Sequence, residues 1–157
     1  MTHLPDSARR FAEAAAVAGI DITVVEMPDS TRTAEEAAAA CGCEVGQIVK
    51  SLVFLGADSG KPYLLLVSGE NRVDESGIAA LLGEALTRPN GRTVRELTGY
   101  AIGGIPPIGH QVPMQTVIDE KLLEFETVWA AAGTPRCVFS VDPKALRDAA
   151  KARAYRF

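Results

Sequence analysis

No apolar run among the 157 residues reaches the roughly 20 needed to cross a bilayer. The opening stretch, Met1-Thr2-His3-Leu4-Pro5-Asp6, lacks the basic and apolar regions of a secretory leader. Cysteine is scarce: three residues, an odd number, which argues against a disulfide framework and fits a reducing, cytoplasmic setting. Positive charge is not in excess either. The net charge is −4, so neither a broad non-specific nucleic-acid surface nor DNA binding is expected. The basic residues that stand together are at the end, where Lys144, Arg147, Lys151, Arg153 and Arg156 face only Asp142 and Asp148. Solvated helix surface is the commoner meaning of such a tail.

The familiar catalytic signatures are missing too. There is no Walker loop and no Gly-x-Ser-x-Gly elbow, and Gly99 to Gly104 does not match the dinucleotide fingerprint. Cys41 and Cys43 are one residue apart, with Cys137 and His110 far off in sequence, a poor fit to zinc spacing. No metal and no cofactor is expected.

What is present reads as one domain spanning residues 1–157 with a real core. Helical spacing predicts a first helix from Pro5 to Gly19, and Ile22 to Glu26 a strand. Thr33 with Glu36 forms a capping box before an alanine-rich helix ending at Gly42. Gln47 to Leu55 and Pro62 to Ser68 read as antiparallel strands around the Gly56–Gly60 turn. A helix capped near Asp74 runs to Gly83, and Thr93 with Glu96 repeats the capping pattern. Val112 to Ile118, Thr127 to Ala132 and Arg136 to Val141 are extended, and Asp142-Pro143 opens a last helix. Hairpins without regular βαβ alternation predict a mixed α/β fold. Its sheet should be mostly antiparallel and barrel-like, surrounded by helices.

Two features point to chemistry. Gly99 to His110 (Gly-Tyr-Ala-Ile-Gly-Gly-Ile-Pro-Pro-Ile-Gly-His) concentrates four glycines and a Pro-Pro pair. It is either a tight structural crossing or a stiff loop that brings backbone amides to a ligand. Lys50 lies in a strand that is apolar on both faces. Such an ammonium either meets an anionic ligand or lays its stem on apolar surface with its head in water. Asn71, Arg72 and Asp74 cluster after the hairpin. Turn chemistry accounts for Asn71 and Asp74 but not for Arg72.

Taken in order, Thr33-Ala-Glu-Glu-Ala-Ala, Ile48-Val-Lys-Ser-Leu-Val-Phe54, Gly69-Glu-Asn-Arg-Val-Asp74, the Gly99–His110 loop and Val128-Trp-Ala-Ala-Ala-Gly133 resemble the YbaK family, the prolyl-tRNA synthetase-associated editing domains. The resemblance implies a compact fold with a barrel-like sheet. It also implies hydrolysis, in trans, of alanine, serine, cysteine or threonine wrongly attached to tRNA. The partners implied are the acceptor end of aminoacyl-tRNA and an aminoacyl-tRNA synthetase. Carried over residue by residue, it marks Lys50, Gly103 and Gly104 as catalytic, the glycines as backbone oxyanion donors. Around them it marks Ser51, Asn71, Arg72, Ile105, Pro106, His110 and Gly133 as contacts of the substrate. Arg88, Arg92 and Arg95 are further candidates to follow the acceptor end. The competing reading is a non-catalytic module of the same fold that binds a tRNA end, a nucleotide or a synthetase.

Overall fold

A computed structural model describes residues 4–157. Met1, Thr2 and His3, half of the stretch read above for a leader, lie outside the described residues. The elements run α1 (Asp6–Val17), β1 (Val25–Glu26), α2 (Ala34–Cys41), β2 (Val49–Gly56), β3 (Pro62–Ser68), α3 (Glu75–Leu82), β4 (Leu86–Thr87), α4 (Gly91–Thr98), β5 (Gln115–Asp119), β6 (Val128–Ala131), β7 (Cys137–Val141), α5 (Pro143–Ala150) and β8 (Arg153–Tyr155). Short 3-10 turns at Val45–Gln47 and Glu120–Glu124 precede β2 and follow β5. No described helix is long and apolar enough to cross a membrane.

Local chemistry sets most helix ends. Thr33 and Glu36 form the expected capping box, and Gly42 closes α2 in the left-handed conformation. Asp74 and Asp142 cap α3 and α5 as their positions predict. The Thr93–Glu96 pair does not cap α4. Asn90 does, accepting the Thr93 N–H at 2.8 Å. Asparagine is among the strongest N-caps, so the helix begins earlier than expected.

Two sheets form. One has the order β4-β2-β3-β5-β8 and the other β1-β7-β6. Pairing is antiparallel except for β3–β5 and β5–β8, which are parallel. The mixed, largely antiparallel α/β reading therefore holds. No closed barrel forms, because the residue just before β2 meets β6 at a single described bridge, Ile48 to Trp129. Beyond it the strands separate. The outer edge of β2 carries β4 only at Leu55 and Gly56, so the length from Lys50 to Phe54 has no strand partner there. A gap opens between the two sheets.

The hairpin is buried on both faces, as its composition predicts. Leu64 and Leu66 enter the main core with Phe11 of α1 and Phe139 of β7, whose ring centroids are 4.7 Å apart. Phe54, Leu65 and Val67 turn the other way, against Ile78 of α3 and Val117 of β5. Each such side chain stabilises the fold by about 2–3 kcal/mol.

Other boundaries differ from expectation. The first strand shrinks from Ile22–Glu26 to Val25–Glu26, since only Val25 and Glu26 find partners in β7. β2 starts at Val49 because Glu44 and Gln47 close a 3-10 turn, with the Glu44 N–H donating to Gln47 Oε1 at 3.0 Å. The basic tail is not helix throughout. Lys151 turns left-handed at φ 52°, and β8 then pairs in parallel with β5. A strand that short carries no periodicity of its own.

Candidate active site

The gap between the sheets is a cleft of about 570 Å³. Its walls are two strand edges, the start of α2 and the glycine loop. Consecutive residues of both edges line it, Ile48 and then Val49 to Leu52 of β2, and Trp129 to Ala131 of β6. In a strand, neighbouring side chains point to opposite sides. A cleft that touches every residue must therefore run along the edge and receive side chains from both faces.

Lys50 is half-buried in this cleft. Its Nζ donates to the backbone carbonyl of Asn71 at 2.5 Å. An ammonium has three N–H donors. Among the described residues Asn71 is the one acceptor it meets, so two donors are left for a ligand. Burial holds its pKa below the ordinary lysine value; Glu35 opposes this, Arg72 adds to it and Asp119 opposes it.

The Asn71 carbonyl is itself held from behind. Asn71 Nδ2 donates to Asp119 Oδ2 at 2.9 Å, and the Ser68 N–H donates to the same oxygen at 3.0 Å. The Lys121 N–H donates to Asp119 Oδ1 at 3.0 Å. Asp119, only 1% exposed, thus ties the end of β3 to the end of β5. Sequence reading missed it, because its partners are remote and its local role is the ordinary one of capping a turn.

The glycine loop supplies the facing wall through Ile102, Gly103 and Ile105. Among the described residues the Gly103 N–H meets no acceptor. Gly104 is different. Its N–H donates to the Ala101 carbonyl at 3.0 Å, and its carbonyl accepts from Gly133 N at 3.0 Å. A Cβ on Gly104 would stand 2.7 Å from the Thr134 Cα, too close for backbone to yield. Gly104→Ala is expected to cost about 2–3 kcal/mol, lowering Tm by about 5–10 °C in a thermal melt. A bulkier substitution there would test folding before catalysis. Gly133, at φ +105°, packs against the Ser7 carbonyl of α1 and does not line the cleft.

The remaining expected contacts fall apart in the same way. Ile105 and Ile108 are buried, so the loop turns into the core after Gly103 and carries Pro106 and His110 away from the cleft. His110 Nε2 donates to the Pro106 carbonyl at 2.7 Å. Burial holds its pKa below the usual histidine value, against that hydrogen bond. The histidine lines a separate hollow with Met114 and Lys151. Arg72 is exposed beside Lys50 and acts on it through charge. Arg88 lies over the Phe54 ring, and Arg92 pairs with Glu96 at 3.3 Å. Neither they nor Arg95 line the cleft.

Of the expected residues, then, Lys50, Ser51, Gly103 and Ile105 line one cavity, and Asn71 positions Lys50 from outside it. The structure adds Thr31, Arg32, Ile102 and Trp129. Arg32 follows a turn and precedes a cap, a place with no periodic signal. Thr31 is fixed by its hydroxyl, which donates to the Pro135 carbonyl at 2.6 Å. Among the described residues no three His, Cys, Asp or Glu side chains come together as a metal site would require.

Known proteins resemble this chain in sequence and in fold. A solved structure of a candidate trans-editing enzyme for prolyl-tRNA synthetase is 50% identical, with a TM-score of 0.93 over 98% of both chains. Over 104 residues the chain is 28% identical to the uncharacterized protein YwhH of Bacillus subtilis. Over a segment of equal length it is 27% identical to EbsC of Enterococcus faecalis, a candidate Cys-tRNA(Pro)/Cys-tRNA(Cys) deacylase. Each alignment covers 66% of this chain, and the chain spans 66% of YwhH and 63% of EbsC. The sequence profile of the aminoacyl-tRNA editing domain matches residues 28–149, a span that contains the whole lining of the cleft. The chain belongs to the aminoacyl-tRNA editing domain family.

Proposed function

We propose that this protein hydrolyses the ester of mischarged aminoacyl-tRNA in trans, releasing a small amino acid such as alanine, serine, cysteine or threonine. The observation that carries this reading is Lys50: a half-buried ammonium in a cleft, with one donor tied to Asn71 and two without a protein acceptor. A module that only held a tRNA end would gain little from such placement, since an exposed lysine serves a phosphate as well.

The chemistry asks little of the protein. An aminoacyl ester is already activated. Water adds to the carbonyl carbon, negative charge grows on the carbonyl oxygen, and the ribose oxygen leaves with a proton. Positioned donors and a fixed geometry lower that barrier without a protein nucleophile. Lys50 and the free N–H of Gly103 are two donors this cleft offers, for the oxyanion or for the terminal phosphate. The Gly104 amide, engaged with Ala101, is not among them. The vicinal ribose hydroxyl of the substrate is the candidate internal base. Arg32 on the cleft and Arg72 beside Lys50 suit the phosphates of the acceptor end. A prolyl-tRNA synthetase as source of the mischarged tRNA is part of the proposal, supported by the description of the relative that is 50% identical.

The test is a deacylation panel on tRNA carrying each of the four amino acids, across pH. Fast release of at least one is expected. The lowered pKa of Lys50 also fixes a sign. Its proton is lost below the ordinary value of 10.5, so the enzymatic rate, corrected for spontaneous hydrolysis, should fall before that pH. Lys50→Arg should push the limb upward, because a guanidinium does not titrate there. No release from any substrate would hand the site to the binding-module reading.

A further inference from the structure

Among the described residues, one buried side-chain polar atom has no hydrogen-bond partner: the hydroxyl of Ser51. Buried hydroxyls are normally paired, and an unpaired one carries a desolvation cost that needs an explanation. Ser51 lines the cleft and is next in the chain to Lys50.

The strand explains why these two neighbours do different things. Lys50 emerges on the face that carries Ile48, toward α2. Ser51 emerges on the face of Val49 and Val53, which belong to the main core. Of the cleft lining, Val49, Ala130 and Ile105 belong to that same core, and Val138 is buried beside them; all four are apolar. Apolar walls of this kind suit a small uncharged side chain better than an ammonium or a multiply hydroxylated ribose. No protein group holds the Ser51 hydroxyl in place, so rotation about Cα–Cβ turns it toward the cleft without breaking a bond.

We propose that Ser51 is a specificity-determining residue that reads the amino-acid side chain, favouring a hydroxyl- or thiol-bearing aminoacyl group over alanine. A seryl hydroxyl can donate to and accept from Ser51, a cysteinyl thiol does so more weakly, and an alanyl methyl leaves Ser51 unpaired. A site with a buried polar group rejects the analogue that cannot pair with it. This inference rests on the deacylase reading for its substrate class, but its test does not.

The experiment compares wild type, Ser51→Ala and Ser51→Thr in two assays. One is kcat/KM on seryl- and alanyl-tRNA. The other is calorimetric binding of non-hydrolysable 3′-seryl- and 3′-alanyl-aminoadenosine. Wild type should prefer the seryl form by about tenfold, the worth of one neutral hydrogen bond. Ser51→Ala should bring that ratio close to one, and Ser51→Thr, which keeps the hydroxyl, should retain part of it. Ser51→Ala should also melt no lower than wild type, since it removes an unpaired group; a structural serine would show a loss. Discrimination in binding without deacylation would support the role of Ser51 and sink the deacylase reading. A wild-type protein that does not prefer the seryl form, or a ratio that Ser51→Ala leaves unchanged, would overturn the inference even if deacylation were fast.

Discussion

Lys50→Ala is expected to slow deacylation by at least about 100-fold while the protein still folds. The size follows from what is removed. Donors aimed at charge that develops in the transition state are typically worth two to three orders of magnitude each in a water-poor site. The fold should tolerate the change. Lys50 is half-exposed, its one protein hydrogen bond is to a backbone carbonyl, and its strand neighbours Val49 and Val53 carry the core contacts. Unfolding free energy should move by no more than about 1 kcal/mol. Single-turnover rates on the best substrate of the panel, beside a denaturant melt, separate the two effects. A folded Lys50→Ala protein with wild-type rates would remove Lys50 from the mechanism.

The second large effect is expected at Asp119, a residue outside the cleft. Its carboxylate accepts from Ser68 N, Asn71 Nδ2 and Lys121 N. Asp119→Ala would leave these donors without their acceptor at a site 1% exposed. Hydrogen bonds to a charged group contribute about 1.5–3 kcal/mol, and orphaned buried donors cost more than absent ones. We expect a loss near 3 kcal/mol in urea unfolding. Asp119→Asn should lose less, since one oxygen can still accept. Activity separates the positioning role from the structural one. With Asn71 freed, its carbonyl no longer fixes Lys50, so kcat should fall more than KM rises in protein that remains folded. Asp119→Ala with normal stability and normal kcat would show that the Asn71 carbonyl holds its place unaided.

Much of the fold was legible locally. Capping at Thr33, Asp74 and Asp142 depends on side chains that reach only three residues along the chain, so sequence position suffices. The β2–β3 hairpin was legible for a similar reason: two apolar runs around a glycine-bounded turn have one economical pairing. Local reading failed where a remote partner decides. β8 exists because β5 offers an edge, and β1 is short because only Val25 and Glu26 find partners in β7. The Thr93–Glu96 pair misled because Asn90, a stronger cap, stood just upstream.

At the site the same division holds. The sequence by itself determined that a lysine would lie in an apolar strand and that a glycine-rich loop would stiffen somewhere else in the chain. It determined too the order of motifs that marks the family. Those are properties of residue types and short spacings. Only the tertiary structure decided which loop residues meet the lysine. Gly103 faces the cleft, while Gly104, Pro106 and His110 do not, because Ile105 and Ile108 pull the loop into the core, and Gly133 packs against α1 instead. Only the failure of β2 and β6 to pair beyond Ile48 and Trp129 created the cavity. That gap depends on two sheets whose edges are about eighty residues apart in the chain, and no periodicity within either strand records the distance between them.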